Sequence, residues 1–580
     1  MIDQMPDSPA LIAAREADLQ MEKCLREGTN FLIEAGAGAG KTYSLIEALK
    51  FLLDHEGPRL RRGSQKIACI TYTNVATAVI GRRIDNNPLV FVETVHAFCW
   101  SLVKSFQPAV RQVISESPAW QEKIAAAGGT IDGHAVEYDL GFRRIRDNVV
   151  MISHDDVLTL AGALLPKEKF QKLVAARYPY ILIDEYQDTD SEMMDAFKVN
   201  LFGREGGPQF GLFGDHWQQI YDKTCGHVEH PQLTAIGKGA NFRSSTAVVG
   251  VLNRMRPELP QAVADENLVG SAVAFLTNTW VGDRREGGHW KGDLPADAAH
   301  TYLQAFKGYL EAEHGWDFAP ANTKVLMLTH NVLAAEQGYS QIAGLFKYTD
   351  DFIKLQDDYM AFFGESVEPA CQAYAARRYG DFYRLMGTAV PVPSRRAEKL
   401  SIASAIDGLI ELRTTGTIGD VIDHIQGNAY LRLPDKVAKR ERDALIWEGE
   451  GDPPDRIQIA RGLREIPYRE IIALLQFIEG NTPFATKHSV KGDEFENVLV
   501  VLGRGWNKYD FGTYLEWVAN RGAVPANKQA AFERNRNLLY VACSRPKTRL
   551  ALLFTQALSD TAVRTLKTWF GADMVEEFTP

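Results

Sequence analysis

The sequence predicts an α/β protein built from two mainly parallel sheet domains, each interrupted by an inserted, mainly helical segment. Three observations carry this. Short β-rich runs alternate with helical stretches toward both ends of the chain, as βαβ units require. Two charge-rich segments, 101–170 and 350–480, lack that alternation and fall inside the α/β pattern rather than after it. Near the N-terminus a glycine-rich turn joins a strand to a helix.

The elements follow in order. FLIEAG (31–36), KIACITYT (66–73), YILIDE (180–185) and QFGLFGD (209–215) are apolar runs ending in small or acidic residues, the pattern of buried parallel strands. TYSLIEALKFLLDH (42–55) spaces its apolar residues by three and four, which predicts an amphipathic helix. A second set of strands is expected at SAVAFL (271–276), KVLMLTHN (324–331), NVLVVLG (497–503) and RLALLF (549–554). TAVPVPSRRAEK (388–399) and EGEGDPPDR (448–456) are loop signals within the second insert.

Composition bounds the function. At roughly 150 residues per domain, 580 residues give about four folding units, enough to bury cores without disulfides or metals. Against 74 Asp+Glu the 64 Lys+Arg leave a net charge of −10, so nucleic acid would have to be held in a local groove and not by a basic coat. The six cysteines are scattered without metal-ligand spacing, which excludes zinc and iron–sulfur readings; they could pair in principle, but free thiols fit a reducing cytosol. The N-terminus has no signal-peptide pattern and no apolar run reaches membrane-spanning length, so a cytoplasmic protein is expected.

The strongest local signal is EAGAGAGKTYSL (34–45). Gly36, Gly38 and Gly40 let successive backbone N–H groups turn toward an anion at the positive end of a helix. Ala35, Ala37 and Ala39 complete the loop, with Ala35 at the first position of the usual Gly-x-x-x-x-Gly-Lys-Thr pattern. Lys41 would reach the β/γ-phosphates of a nucleotide such as ATP, and the Thr42 hydroxyl would ligate Mg²⁺. YILIDEYQDTD (180–190) supplies the second half: Asp184 as the other Mg²⁺ ligand and Glu185 to orient and deprotonate the attacking water. A strand–loop–helix context and an acidic pair together predict a nucleoside triphosphatase.

Further motifs resemble superfamily 1A helicases of the UvrD/Rep/PcrA type, in order along nearly the whole chain. Gln20 stands where that family reads adenine, TYTNVAT (71–77) is similar to motif Ia, and TVHAFCW (94–100) to motif Ib. DEYQDT (184–189) matches motif II, GDHWQQIYDKTCG (214–226) resembles motif III, and NFRSS (241–245) motif IV. TKHSVKGDEF (486–495) and RNLLYVACSRPK (536–547) are similar to motifs V and VI. The resemblance implies RecA-like domains: 1A at 1–100 and 171–238 with its 1B insert at 101–170, and 2A at 239–349 and 481–580 with a reduced 2B insert at 350–480.

It also implies roles. Tyr43 adjoins the phosphate loop and Phe242 would stack on the adenine, while Arg243 and Arg545 would reach the γ-phosphate from the second α/β domain. Gln187 would contact the γ-phosphate or the water, Gln218 would relay nucleotide state to the DNA, and Glu494 would lie near the ribose. Thr73, Asn74, Thr94, His96, Phe98, Tyr221 and His488 match positions lining a single-strand DNA groove. Two departures stand out: Asp493 replaces an apolar residue of motif V, and after Tyr221 the chain reads Asp222-Lys223-Thr224-Cys225-Gly226 without the family's second aromatic.

Three functions follow: an ATP-driven motor on single-stranded or tailed duplex DNA, moving 3′→5′ by resemblance; a DNA-gated regulatory ATPase without processive unwinding; and a nucleotide-binding scaffold, which the intact catalytic set argues against. With only a strand and a short helical stretch after Arg545, no nuclease domain is expected in this sequence. Motif spelling and size resemble the UvrD-like subunit of Gabija-type antiviral systems, which implies a separate OLD-family nuclease as partner; the alternative is a free-standing repair or replication helicase.

Overall fold

The computed structural model describes residues 8–139, 143–221, 223–327, 334, 336–386, 392–428, 431–449, 451–480, 482, 484–486, 493–504 and 509–580. Its contacts divide the chain into two units. The first comprises Met1–Ala274, Phe511–Leu550 and Ser559–Val575; the second comprises Phe275–Asp510, Ala551–Leu558 and Glu576–Pro580.

Nine strands lead through the first unit: β1 (Asn30–Ala35), β2 (Ile67–Thr71), β3 (Val90–Thr94), β4 (Ala135–Tyr138), β5 (Arg144–Arg146), β6 (Val149–Ile152), β7 (Tyr180–Asp184), β8 (Gln209–Gly214) and β9 (Leu233–Lys238). Six of them form a sheet in the order β3-β2-β7-β8-β1-β9, parallel at every pairing. Alternation sorts its side chains. Phe31, Ile33, Ile67, Cys69, Leu182 and Phe213 enter one core with Leu45, Leu49 and Leu52, whereas Leu32, Ala68, Ile70, Ile181, Ile183 and Leu212 enter another with Phe98 and Leu102. Both faces are buried, which is why these strands read as continuous apolar runs. The carboxyl ends of all six strands share one edge, where open parallel sheets bind ligands.

Helices α1 (Pro9–Glu27), α2 (Lys41–Arg62), α3 (Asn74–Arg83) and α4 (Val95–Val103) flank this sheet's strands in sequence. The 101–170 segment holds helices Gln107–Glu116, Gln121–Ala126 and His154–Leu164, but also a small sheet in the order β4-β6-β5. Those strands, only three or four residues long, escaped the periodicity reading. Buried Asp156 ties the segment together, accepting from Trp120 Nε1 at 3.2 Å and Ser153 N at 2.8 Å and pairing with Arg143 at 2.8 Å.

Two short strands, β10 (Ala240–Asn241) and β11 (Ala262–Val263), pair in parallel beside the first sheet's loops. The second six-stranded sheet runs β14-β13-β15-β16-β12-β17, from β12 (Ser271–Leu276), β13 (Thr323–Met327), β14 (Phe484–Thr486), β15 (Phe495–Leu502), β16 (Pro546–Phe554) and β17 (Val575–Glu577). Between β13 and β14 the described residues of 350–480 are helical, from Thr349–Ile353 to Arg469–Ile478. Buried pairs Arg413–Glu368 and Arg464–Glu441, the latter 2.7 Å, cross-link those helices. No helix among the described residues is long and apolar enough to cross a membrane.

Candidate nucleotide and nucleic-acid site

β1 ends at Ala35, and the chain turns through Gly36–Gly40 into α2, whose N-cap is Gly40. Gly38 and Gly40 have φ of 75° and 77°, the left-handed region that glycine reaches without penalty. Ala35 lies in the strand itself, which explains why the family's first glycine is dispensable here. Gly36 needs its missing side chain for another reason: a Cβ would stand 2.5 Å from Gln261 Nε2. The loop's carbonyls are held outward, since Ala37 O accepts from Asn241 Nδ2 at 3.1 Å and Gln261 Nε2 at 3.0 Å, and Gly38 O accepts from Phe242 N at 2.9 Å. Lys41 Nζ donates to Ala35 O at 3.4 Å. Thr42 is the second residue of α2.

β7 delivers Asp184 and Glu185 to the same edge. Asp184 is buried, and burial followed by the neighbouring Glu185 charge raises its pKa, with Lys41 opposing. Carboxylate and hydroxyl oxygens are hard ligands suited to Mg²⁺, and Asp184 would have to ionise to serve as one. Glu185 sits at φ 47°, an uncommon backbone state for a residue other than glycine. Gln187 Nε2 donates to Glu185 Oε2 at 2.5 Å, and Gln187 Oε1 accepts from Asp215 N at 3.1 Å. Gln218 Nε2 donates to Asp215 Oδ2 at 2.7 Å.

Both expected arginines reach this edge. Arg243 Nη1 donates to Ser544 O at 3.1 Å, and Arg545 Nη2 donates to Gln218 Oε1 at 3.2 Å. Arg545 is 1% exposed, and burial, then the like charge of Arg243, lowers its pKa to about 9. The two were expected from the second α/β domain, but contacts group Arg243 and the helix Gln529–Cys543 that precedes Arg545 with the phosphate loop.

A pocket beside the loop is lined by Leu11, Ala14, Arg15, Asp18, Ala39, Gly40, Tyr43, Lys238 and Phe242. Tyr43 and Phe242 are thus among the residues that line it. Gln20 is not: it is exposed on α1 and outside this lining, and the polar groups there are Arg15, Asp18 and Lys238. Lys238 is 1% exposed and bonds Ser44 Oγ at 2.6 Å and Asp18 at 3.3 Å. Glu494 directly precedes β15 in the second unit, and His488 lies outside the described residues.

The proposed DNA residues divide. Thr73 and Thr94 cap α3 and α4, accepting from Ala76 N at 3.1 Å and Ala97 N at 3.4 Å, with Asn74 exposed beside the first cap. His96 stacks on His154 with ring centroids 3.3 Å apart; burial, then the His154 charge, lowers its pKa to about 4, so it is neutral. Phe98 is fully buried against Tyr178 and Phe197 and serves as core, not as a DNA contact. Tyr221 stacks on Tyr72 at 5.2 Å and 28°, and Tyr72 is 43% exposed. A second aromatic thus stands beside Tyr221, from the segment that resembles motif Ia, where its place next to Thr73 and Asn74 was the available signal. Trp217 is buried against Tyr540, so it is no substitute.

A family model described as an AAA domain matches residues 20–224. A Gabija protein GajB of Bacillus cereus (strain HuB5-5) is 24% identical, covering 91% of this chain and 93% of that protein. The ATP-dependent DNA helicase UvrD1 of Mycobacterium tuberculosis (strain ATCC 25618 / H37Rv) is 22% identical over 40% of this chain and 38% of its own length. The ATP-dependent DNA helicase Rep of Escherichia coli (strain K12) is 23% identical over 38% of this chain and 40% of its own. The match thus spans less than half of each of those two helicases.

Proposed function

We propose that this chain, a UvrD-like ATP-dependent DNA helicase, is the motor subunit of an anti-phage defence complex, tracking 3′→5′ along single-stranded DNA beside a separate nuclease. The observation that carries the motor reading is the convergence of Lys41, Asp184, Glu185, Gln187, Arg243 and Arg545 at one edge of one parallel sheet, linked by the Gln187–Asp215–Gln218–Arg545 bonds. The near full-length likeness to GajB supports the defence setting.

The residues divide the work. Backbone N–H groups of the phosphate loop and Lys41 bind the nucleotide's phosphates, with Tyr43 and Phe242 bordering its base. Mg²⁺ held by Thr42 and Asp184 would supply charge neutralisation at the β- and γ-phosphates. Glu185, fixed by Gln187, accepts the proton of the attacking water, and Arg243 and Arg545 stabilise charge on the transferring phosphoryl oxygens. Gln218, bonded to Arg545 and three residues before Tyr221, links hydrolysis to the Tyr72–Tyr221 pair, whose faces accept any base.

One feature favours a DNA-gated regulatory ATPase as the second reading. Cys225 and Gly226, beyond Tyr221, pair back onto motif II, with Cys225 N donating to Thr189 O at 2.8 Å and Gly226 N to Gln187 O at 3.2 Å. Unwinding of tailed duplexes with either polarity separates the two readings. Co-purification from native cells tests the partner: recovery of repair factors without a nuclease would remove the defence assignment and leave the motor.

A further inference from the structure

Glu34, Asp215 and His216 bring three ligand-type atoms within 4.8 Å of one another, the arrangement of a cation site. A cation is already present. Arg256, which caps the helix Thr246–Met255 and is 2% exposed, places Nη1 2.6 Å from Asp215 Oδ1 and Nη2 2.7 Å from Glu34 Oε1. Its guanidinium lies over Trp217 at 5.1 Å and over Tyr540 at 5.9 Å. A planar fork spanning two carboxylates between aromatic rings is a task for arginine, because lysine offers a single point charge. The group stays charged: burial opposes it, but Asp215, Tyr540 and Glu34 outweigh burial.

Each carboxylate is also used elsewhere. Glu34 accepts from Tyr186 Oη at 2.8 Å and from His216 Nδ1 at 2.8 Å, which ties the phosphate-loop strand to motifs II and III. Asp215 accepts from Gln218 Nε2 at 2.7 Å, and its own N–H donates to Gln187 Oε1 at 3.1 Å. Gln218 leads to Arg545, and Gln187 leads to Glu185. From Arg256, a short hydrogen-bonded path therefore reaches both the proton acceptor and a γ-phosphate arginine.

We propose that Arg256 is a positioning residue for ATP hydrolysis, fixing Asp215 so that Gln187–Glu185 and Gln218–Arg545 are held in register. The assignment rests on the ATPase reading above. Arg256 is buried and acts through Asp215. A ligand-type cluster filled by a guanidinium is on this view a built-in fixed cation, with no need of a metal.

The competing account is a buried ion pair that only stabilises the fold, and removal of one partner would then act through folding alone. Steady-state ATPase on the full-length protein with saturating single-stranded DNA, together with thermal melting, separates them. Arg256→Met should lower kcat on the order of 10²-fold, the scale of a misplaced catalytic group, with KM for ATP unchanged. Arg256→Lys should fall between. Glu34→Gln/Arg256→Met removes one of the two charges left facing each other, so it should recover melting temperature without recovering kcat; this variant carries the test where Arg256→Met does not fold. Recovery of kcat together with melting temperature, a change confined to KM, or a folded Arg256→Met at the parent rate overturns the assignment while the parent's ATPase stands. A parent without ATPase overturns the functional reading, and this assignment with it.

Discussion

Arg545→Met offers the sharpest separation of chemistry from stability. Arg545 is buried and donates, among other contacts, to Val541 O at 3.1 Å, Ser544 Oγ at 3.0 Å and Gln218 Oε1 at 3.2 Å. Burial and Arg243 lower its pKa from 12.5 to about 9, so folding disfavours its charged form. The sign follows from linkage. The folded state binds the proton less tightly than the unfolded state, so the penalty is in force at neutral pH and is relieved only as pH rises through about 9. Methionine keeps most of the volume and removes the buried charge. Melting temperature without nucleotide should therefore hold or rise at pH 7. Hydrolysis should not hold: an arginine supplying transition-state charge contributes roughly 10³–10⁵ in rate, or about 4–7 kcal/mol of barrier. Thermal melting and DNA-stimulated phosphate release on one preparation read both quantities. A parallel fall in melting temperature and rate, or a parent rate with lowered melting temperature, would refute a catalytic Arg545 and make it a structural cation.

Further outcomes follow from the same geometry. Asp184, pushed up to about 7 by burial and Glu185, must ionise to hold Mg²⁺, so Mg²⁺-dependent nucleotide binding should release a proton and strengthen as pH rises from 6 to 8. Because the folded state holds that proton more tightly, Asp184 reduces nucleotide-free stability increasingly from about pH 4 to about 7; Asp184→Asn should melt higher at pH 8, lose the pH slope in calorimetric titration and not hydrolyse ATP. Tyr72→Ala and Tyr221→Ala should each weaken single-strand binding by about 1–3 kcal/mol per lost stack, read by fluorescence anisotropy at one salt concentration. Phe98→Ala should instead destabilise the fold by about 3–5 kcal/mol in denaturant melts while folded molecules bind DNA at the parent affinity. Gly36→Ala should raise KM for ATP, because its Cβ drives Gln261 off Ala37 O.

The sequence made the buried parts of this protein legible. β1, β2, β7 and β8 were readable because both faces of each strand are covered, so their central residues are apolar on both faces. The strands missed in the two large sheets, β3, β9, β14 and β17, are all edge strands, shorter or more polar, and their pairing partner alone makes them strands. Within the site, phosphate-loop and motif II residues were legible because the chemistry demands them at fixed local spacing. Arg256, Gln261, Asp18 and Lys238 were not, since each acts through contacts with residues far away in sequence, as between Arg256 and Glu34. Phe98 erred the other way: motif position marked it for DNA, but a closed core decides what it can touch.

The central claim is that one site couples ATP hydrolysis to single-stranded DNA. Steady-state ATPase measured with no DNA, with single-stranded DNA and with blunt duplex, at one salt concentration, tests it most directly. Hydrolysis should rise strongly with the single strand, little with blunt duplex, and vanish in Lys41→Ala. ATPase indifferent to DNA, or stimulated equally by blunt duplex, would contradict it.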